Sequence, residues 1–193
     1  MYTSFLNRED VARGLSNNNP GNLIYTGIEW EGKIPYSQNQ DKDGNTVVKK
    51  FEQFKELRYG LRAMMHDVFN GYKGGENTIA KLITSYAPPT ENKTDNYINY
   101  MVGKLGFAAN YVIPEMTQPM LVLIVKAIIL FENGATTANL ISDQDYKDAL
   151  AILGVDVPKG SNVKKNAFLL LLLAASITLL ILKINKNDHG NRK

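Results

Sequence analysis

From Ala167 to Leu182 the chain reads AFLLLLLAASITLLIL, 16 positions without a charged side chain. A helix of that length measures about 24 Å, against a bilayer hydrocarbon core of roughly 30 Å. The flanks close the gap. Lys164 and Lys165 precede the run and Lys183 and Lys186 follow it, and long basic side chains snorkel to the interface. Counting on to Ile184 reaches the lower edge of a spanning segment. Ser176 and Thr178 return hydrogen bonds to the preceding turn, so neither blocks insertion. A buried core helix shows a polar face, and this run has none. The sequence therefore predicts a transmembrane helix at 167–184, a linker at 155–166 and a basic polar tail at 185–193. Basic residues on both sides leave the orientation open. Arg8, Glu9, Asp10 and Arg13 interrupt any apolar start, so no signal peptide is expected. The economical topology is a single pass, with a body at 1–154 on one side of the membrane.

Charge divides the same way. Residues 1–160 hold 16 Lys and Arg against 18 Asp and Glu, and residues 161–193 hold 6 against 1. The basic excess behind the net +3 lies in the tail, so the body carries no electrostatic footprint for nucleic acid. With 44% hydrophobic and 21% charged residues, the chain is not a disordered acidic or basic tail protein. Its 193 residues suit one domain and a small addition. Zero cysteines exclude a disulfide scaffold, a zinc–thiolate module and a thiol nucleophile. Two histidines, His66 and His189, leave no basis for a His-rich metal centre or a Ser-His-Asp triad. No metal and no cofactor is expected.

Along the body, residues 14–50 are rich in turn formers, and Asp43-Gly44-Asn45 between Ile34 and Val47-Val48 suggests a short hairpin. Helical spacing then begins. Leu57, Leu61, Met64, Met65 and Val68 predict a helix over 56–70, stopped by Gly71, Gly74 and Gly75. A second is expected over 77–86, capped by Asn77 or Thr78 and ended by Pro88-Pro89, and a third over 93–105, capped by Thr90 or Asn92. Residues 119–132 form the most apolar internal helix, read as the core helix because about 18 Å is too short for a bilayer. A last helix is expected over 143–153. There is no internal repeat and no phosphate-binding glycine pattern. The fold class is mainly α, with a small irregular or β-containing insert near the N-terminus and the C-terminal transmembrane helix.

Three stretches stand out. In Arg13 to Asn22, RGLSNNNPGN, successive Asn side chains lock a tight turn by bonding their own backbone, or present amides to a polar polymer such as an N-acetylated sugar. Trp30, the single tryptophan, is either a sugar-stacking platform or a hydrophobic plug. Arg62, after Gly60, forms a salt bridge or forks to loop carbonyls, or meets substrate. In Tyr86 to Tyr97, YAPPTENKTDNY, Glu91 follows two prolines and begins a helix, which suits capping or general acid work in a cleft.

Together these blocks resemble a family of small phage and prophage peptidoglycan-degrading proteins. The resemblance rests on Arg13-Gly14, Asn17 to Asn22, Trp30 and Gly32, Phe51 and Phe54, Gly60-Leu61-Arg62-Ala63, Ala87-Pro88-Pro89, Glu91-Asn92, Thr94 and Tyr97-Ile98. It covers residues 11–107. The chain departs from the pattern at Ser16, where a basic residue is common, and at Arg58, where an acid is common. The resemblance implies a lysozyme-like fold and cleavage of the glycan strands of peptidoglycan, by hydrolysis or lytic transglycosylation, and the scarcity of convincing acid pairs favours the transglycosylase over the muramidase. It marks Asn18, Asn19, Asn22, Trp30, Arg62, Asn92, Thr94 and Tyr97 as substrate-binding positions. Glu91 is the expected catalytic acid, with Glu29 and Glu31 as alternatives. Glu52 and Glu56 are expected in ordinary surface places. The expected partners are peptidoglycan, a lipid bilayer through residues 167–184, and a virion capsid or other membrane proteins. The expected location is the internal membrane of a virion or the host inner membrane, for wall penetration or lysis. The rival is a non-catalytic protein that binds glycan or bridges membrane to capsid.

Overall fold

The computed structural model describes residues 2–39, 51–90 and 93–160. The transmembrane segment predicted at 167–184, the hairpin around Asp43-Gly44, and Glu91 and Asn92 lie outside the described residues. The chain divides after Pro158, so nearly all of the described structure belongs to the first unit. That unit runs four residues past the predicted boundary. Val157 is buried, and Gln118 donates to the carbonyls of Val157 and Pro158, which ties this segment to the helical body.

Among the described residues six α-helices follow one another: α1 (Arg13–Ser16), α2 (Leu57–Lys73), α3 (Ile79–Tyr86), α4 (Thr94–Leu105), α5 (Gln118–Ala138) and α6 (Asp143–Ala151). A 3-10 turn covers Tyr36–Gln38. The β content among the described residues is three isolated antiparallel bridges, Ile24 with Phe51, Lys33 with Phe54, and Thr78 with Val112. The protein is mainly helical, as predicted.

Local chemistry explains most boundaries. Thr78 caps α3 by accepting from the Lys81 N–H, Thr117 caps α5 through Met120, and Ser142 and Asp145 form a reciprocal capping box on α6. The start of α4 differs from expectation. Lys93 is its N-cap and makes no side-chain cap bond, while Thr94 spends its hydroxyl on the Ala87 carbonyl at 2.6 Å. That bond ties the start of α4 to the end of α3.

Helix α5 is the centre of the body. Leu121, Ile124, Val125, Ala127, Ile128 and Ile129 are buried, and it packs against α1, α2 and α4. The length argument for calling it a core helix does not hold. It has 21 residues and a mean hydropathy of 1.6, enough by length and composition to cross a membrane. Its buried face makes it a core helix. Gly134, at φ 74°, breaks the helical path just after Glu132 and Asn133.

Two sequence blocks 40 residues apart interlock at Gly60. A Cβ built there would stand 1.7 Å from the Asn18 carbonyl oxygen, so only glycine lets α2 touch the NNNPGN loop. Gly60→Ala should therefore cost at least about 3 kcal/mol. Gly103, within α4, has nothing near its virtual Cβ, and Gly103→Ala should stabilise by about 0.5–1 kcal/mol. Denaturant unfolding of both variants checks the pair, and equal effects would contradict the packing at Gly60.

Candidate active site

The loop Asn17 to Asn22 is built by its own side chains. Asn18 has φ 48° and Asn22 has φ 51°, left-handed geometry that asparagine tolerates. The Asn18 amide donates to Ser4 Oγ at 2.9 Å and to the Phe54 carbonyl at 3.0 Å, and accepts from the Phe5 N–H at 2.7 Å. Asn19 donates to the carbonyls of Leu23 and Glu52, both at 3.0 Å, and accepts from the Leu23 N–H at 2.9 Å. Both side chains are fully buried. They hold the loop and do not reach a ligand, which corrects the substrate-binding expectation for them.

The next three residues are held one by one. The Pro20 carbonyl accepts from Asn133 Nδ2 at 2.7 Å, the Gly21 carbonyl accepts from the Tyr86 hydroxyl, and Asn22 Nδ2 donates to Glu132 Oε2 at 2.9 Å. Pro20-Gly21-Asn22 thus closes against the last turn of α5 and the end of α3.

In front of this loop lies a cleft of about 470 Å³. One wall is Leu23, Ile24, Ile28, Trp30 and Phe51, and the other comes from α2, α3 and the end of α5. Asp67, Glu76 and Glu132 bring three carboxyl groups to it, and Arg13 lies 3.9 Å above the Phe51 ring at its edge. Such a mixture of apolar wall and few convergent polar groups is the usual form of a ligand site. Asp67 sits on an exposed turn of α2, but the walls crowd its carboxyl. That crowding, and then the neighbouring Glu76 carboxylate, raise its pKa above the ordinary value. Tyr86 is half-buried, and the packing around its hydroxyl pushes its pKa well up, with Glu132 and Asp67 adding to the effect.

The expected site residues separate into two groups. Asn22 and Trp30 line the cleft, and Trp30 meets His66 edge-on, with centroids 5.7 Å apart. His66 has a lowered pKa because it is partly desolvated and because Arg62 is near. Arg62 does not enter the cleft. Its Nε donates to the Ile152 carbonyl at 2.7 Å and pairs with Glu31 at 3.2 Å, joining α2 to the end of α6. Thr94 is a buried tie, as described above. Tyr97 is 2% exposed and stacks on Phe131 at 3.7 Å, so its ring is core. Its hydroxyl has no hydrogen-bond partner. Burial and then the Glu132 carboxylate raise its pKa well above the ordinary range.

Neither alternative acid lines the cleft. Glu29 is exposed and pairs with Lys33 at 2.9 Å, and Glu31 pairs with Arg62. The residues that sequence reasoning missed are Arg13, Asp67, Glu76, Tyr86 and Glu132. Glu132 carried a signal: an acid ending the most apolar helix of the body, next to Asn133-Gly134.

No family model matches the chain. It is 35% identical over 140 residues to protein P5 of Pseudoalteromonas phage PM2, a match covering 70% of this chain and 78% of that protein. The chain belongs to the protein P5 family. Membership makes it a relative of a phage protein, and its body has, among the described residues, one helix apolar enough to span a membrane.

Glu52 overturns another expectation. It is not on the surface but fully buried, and neither carboxyl oxygen has a hydrogen-bond partner. Desolvation raises its pKa despite the opposing Lys33, with Glu29 adding to the rise. The folded state therefore holds the proton more tightly than the unfolded chain, whose carboxyl titrates near its ordinary value. Stability contributed by the protonated form is complete below that value and is lost as pH rises through the raised one. Glu52→Gln should flatten this dependence and stabilise the protein at neutral pH by about 1 kcal/mol. Denaturant unfolding at pH 4.5 and pH 8 measures it, and an unchanged pH slope would contradict the account.

Proposed function

We propose that this chain cleaves the glycan strands of bacterial peptidoglycan, with a lysozyme-like body held at a membrane through residues 167–184. The cleft carries the reading: an aromatic and aliphatic wall at Trp30, Ile28 and Phe51 faces three carboxyl groups across a space of about 470 Å³. Sugar rings offer apolar faces and polar rims, and such walls suit both. The blocks that resemble phage peptidoglycan-degrading proteins supply the second support, and kinship with a phage protein agrees with a phage setting.

Lytic transglycosylation is the favoured chemistry. One carboxyl group protonates the leaving glycosidic oxygen as its bond to the anomeric carbon breaks. The same group then takes the proton of the muramoyl 6-hydroxyl as that oxygen closes on the anomeric carbon. Hydrolysis substitutes water for the hydroxyl and uses two carboxyl groups at set separations. The anchor places this chemistry at the internal membrane of a virion or at the host inner membrane, for wall penetration or late lysis.

A second reading has its own observation. Asn18, Asn19, Arg62 and Thr94 all serve the scaffold, so the family pattern is compatible with a glycan-binding or membrane-to-capsid protein that keeps the fold without the reaction. Full-length protein in detergent, incubated with Gram-negative sacculi, should release muropeptides with anhydro-muramic ends. Reducing ends would move the assignment to hydrolysis, and binding to sacculi without any release would establish the second reading. The anchor has a separate measurement: the full chain should float with phospholipid vesicles and resist a carbonate wash, and release by carbonate would remove the membrane part.

A further inference from the structure

Resting on the glycan-cleaving reading, we propose that Glu132 is the catalytic acid and base, and that Asn22 positions it. Glu132 is the cleft carboxyl fixed most rigidly. It stands on α5, the buried centre of the body, in the turn just before the break at Gly134 and one residue before Asn133, which is itself pinned to the Pro20 and Ile129 carbonyls. Among the described residues it makes no ion pair. The Asn22 amide donates to it at 2.9 Å, a neutral donor that fixes one oxygen. Beside it are two aromatic hydroxyls. Tyr86 is occupied with the Gly21 carbonyl, while the Tyr97 hydroxyl is buried and has no partner. An orphan hydroxyl next to a cleft carboxyl is the kind of group a bound polar ligand or a relayed hydrogen bond satisfies.

The rival acids are placed less well. Asp67 and Glu76 crowd each other, and Glu76 sits in the turn between α2 and α3. Rigid placement matters because a general acid must bring its proton within about 2.6–3.2 Å of the leaving oxygen. In the reaction Glu132 gives its proton to the glycosidic oxygen as the bond from that oxygen to the anomeric carbon breaks. It regains one from the 6-hydroxyl as the new carbon–oxygen bond closes, so the group ends as it began. Asn22 holds the second carboxyl oxygen throughout, and its left-handed backbone explains why an Asn stands there.

The test compares full-length wild type, Glu132→Gln, Glu91→Gln, Asp67→Asn and Glu76→Gln in detergent, reading muropeptide release from Gram-negative sacculi, sacculus cosedimentation and melting temperature. Glu132→Gln should lose about 10²–10⁴-fold in release rate with binding and melting retained, a larger loss than any of the other three shows. A Glu132→Gln protein keeping more than a tenth of the rate would overturn the assignment and leave the glycan reading standing. So would a loss confined to Glu91→Gln. Wild type that releases nothing from sacculi would instead remove the glycan-cleaving reading, and the assignment with it. Should Glu132→Gln fold poorly, Asn22→Gly keeps the left-handed backbone and removes only the amide. Its kcat should fall by about tenfold with KM unmoved, and an unchanged kcat would overturn the positioning role.

Discussion

Two buried side-chain amides hold the N-terminal third of the body together. An amide taken out of water without partners costs several kcal/mol, so Asn18 and Asn19 are tolerable only where the backbone answers them. Their donors and acceptors reach Ser4, Phe5, Leu23, Glu52 and Phe54, joining three chain segments that share no regular sheet. The described part of the irregular insert is held by these bonds and by isolated bridges. Everything in front of it inherits that order: the cleft wall from Leu23 to Trp30 springs directly from the loop they fix.

The blocks that carry the family resemblance are scattered in sequence and meet in space. Gly60 admits the Asn18 carbonyl, Tyr86 holds Gly21, and Thr94 ties the start of α4 to Ala87. Most of the pattern therefore encodes how the cleft is assembled. Of the marked residues that are described, Asn22 and Trp30, together with Arg13 at the head of the first block, stand at the cleft itself. A pattern of this kind supports an architecture more strongly than a reaction, because a scaffold outlives the chemistry built on it.

The helices were legible because their signals are local. Apolar spacing of three and four, the Thr78 cap and Pro119 in the first turn of α5 all act within one turn of chain. Partners across the fold left no such mark. Nothing near Arg62 in sequence points to the Ile152 carbonyl, and nothing near Glu52 distinguishes a buried carboxyl from an edge-strand one. The triple Asn was legible as a turn-locking device. That the same side chains are then too occupied to meet a ligand depends on Phe5, Phe54 and Glu52 arriving from elsewhere. Helix α5 shows the reverse limit: its composition passes for a membrane span, and only its packing against α1, α2 and α4 makes it a core helix.

The last turn of α5 joins these themes. A long apolar helix that ended in apolar residues would stop at a core boundary and position nothing. Here its regular path runs to Phe131-Glu132-Asn133, where Gly134 breaks it at positive φ. Phe131 stacks on Tyr97 of α4, Asn133 pins the Pro20 carbonyl, and Glu132 meets Asn22. Three consecutive side chains therefore face three different parts of the body, which an α-helix permits because successive residues are set about 100° apart. The buried turns behind them supply rigidity, since moving Glu132 requires moving a helix whose Ile124, Val125, Ile128 and Ile129 are packed in the core. The hydrophobic core thereby sets the position of the one cleft carboxyl that the motif loop also grips.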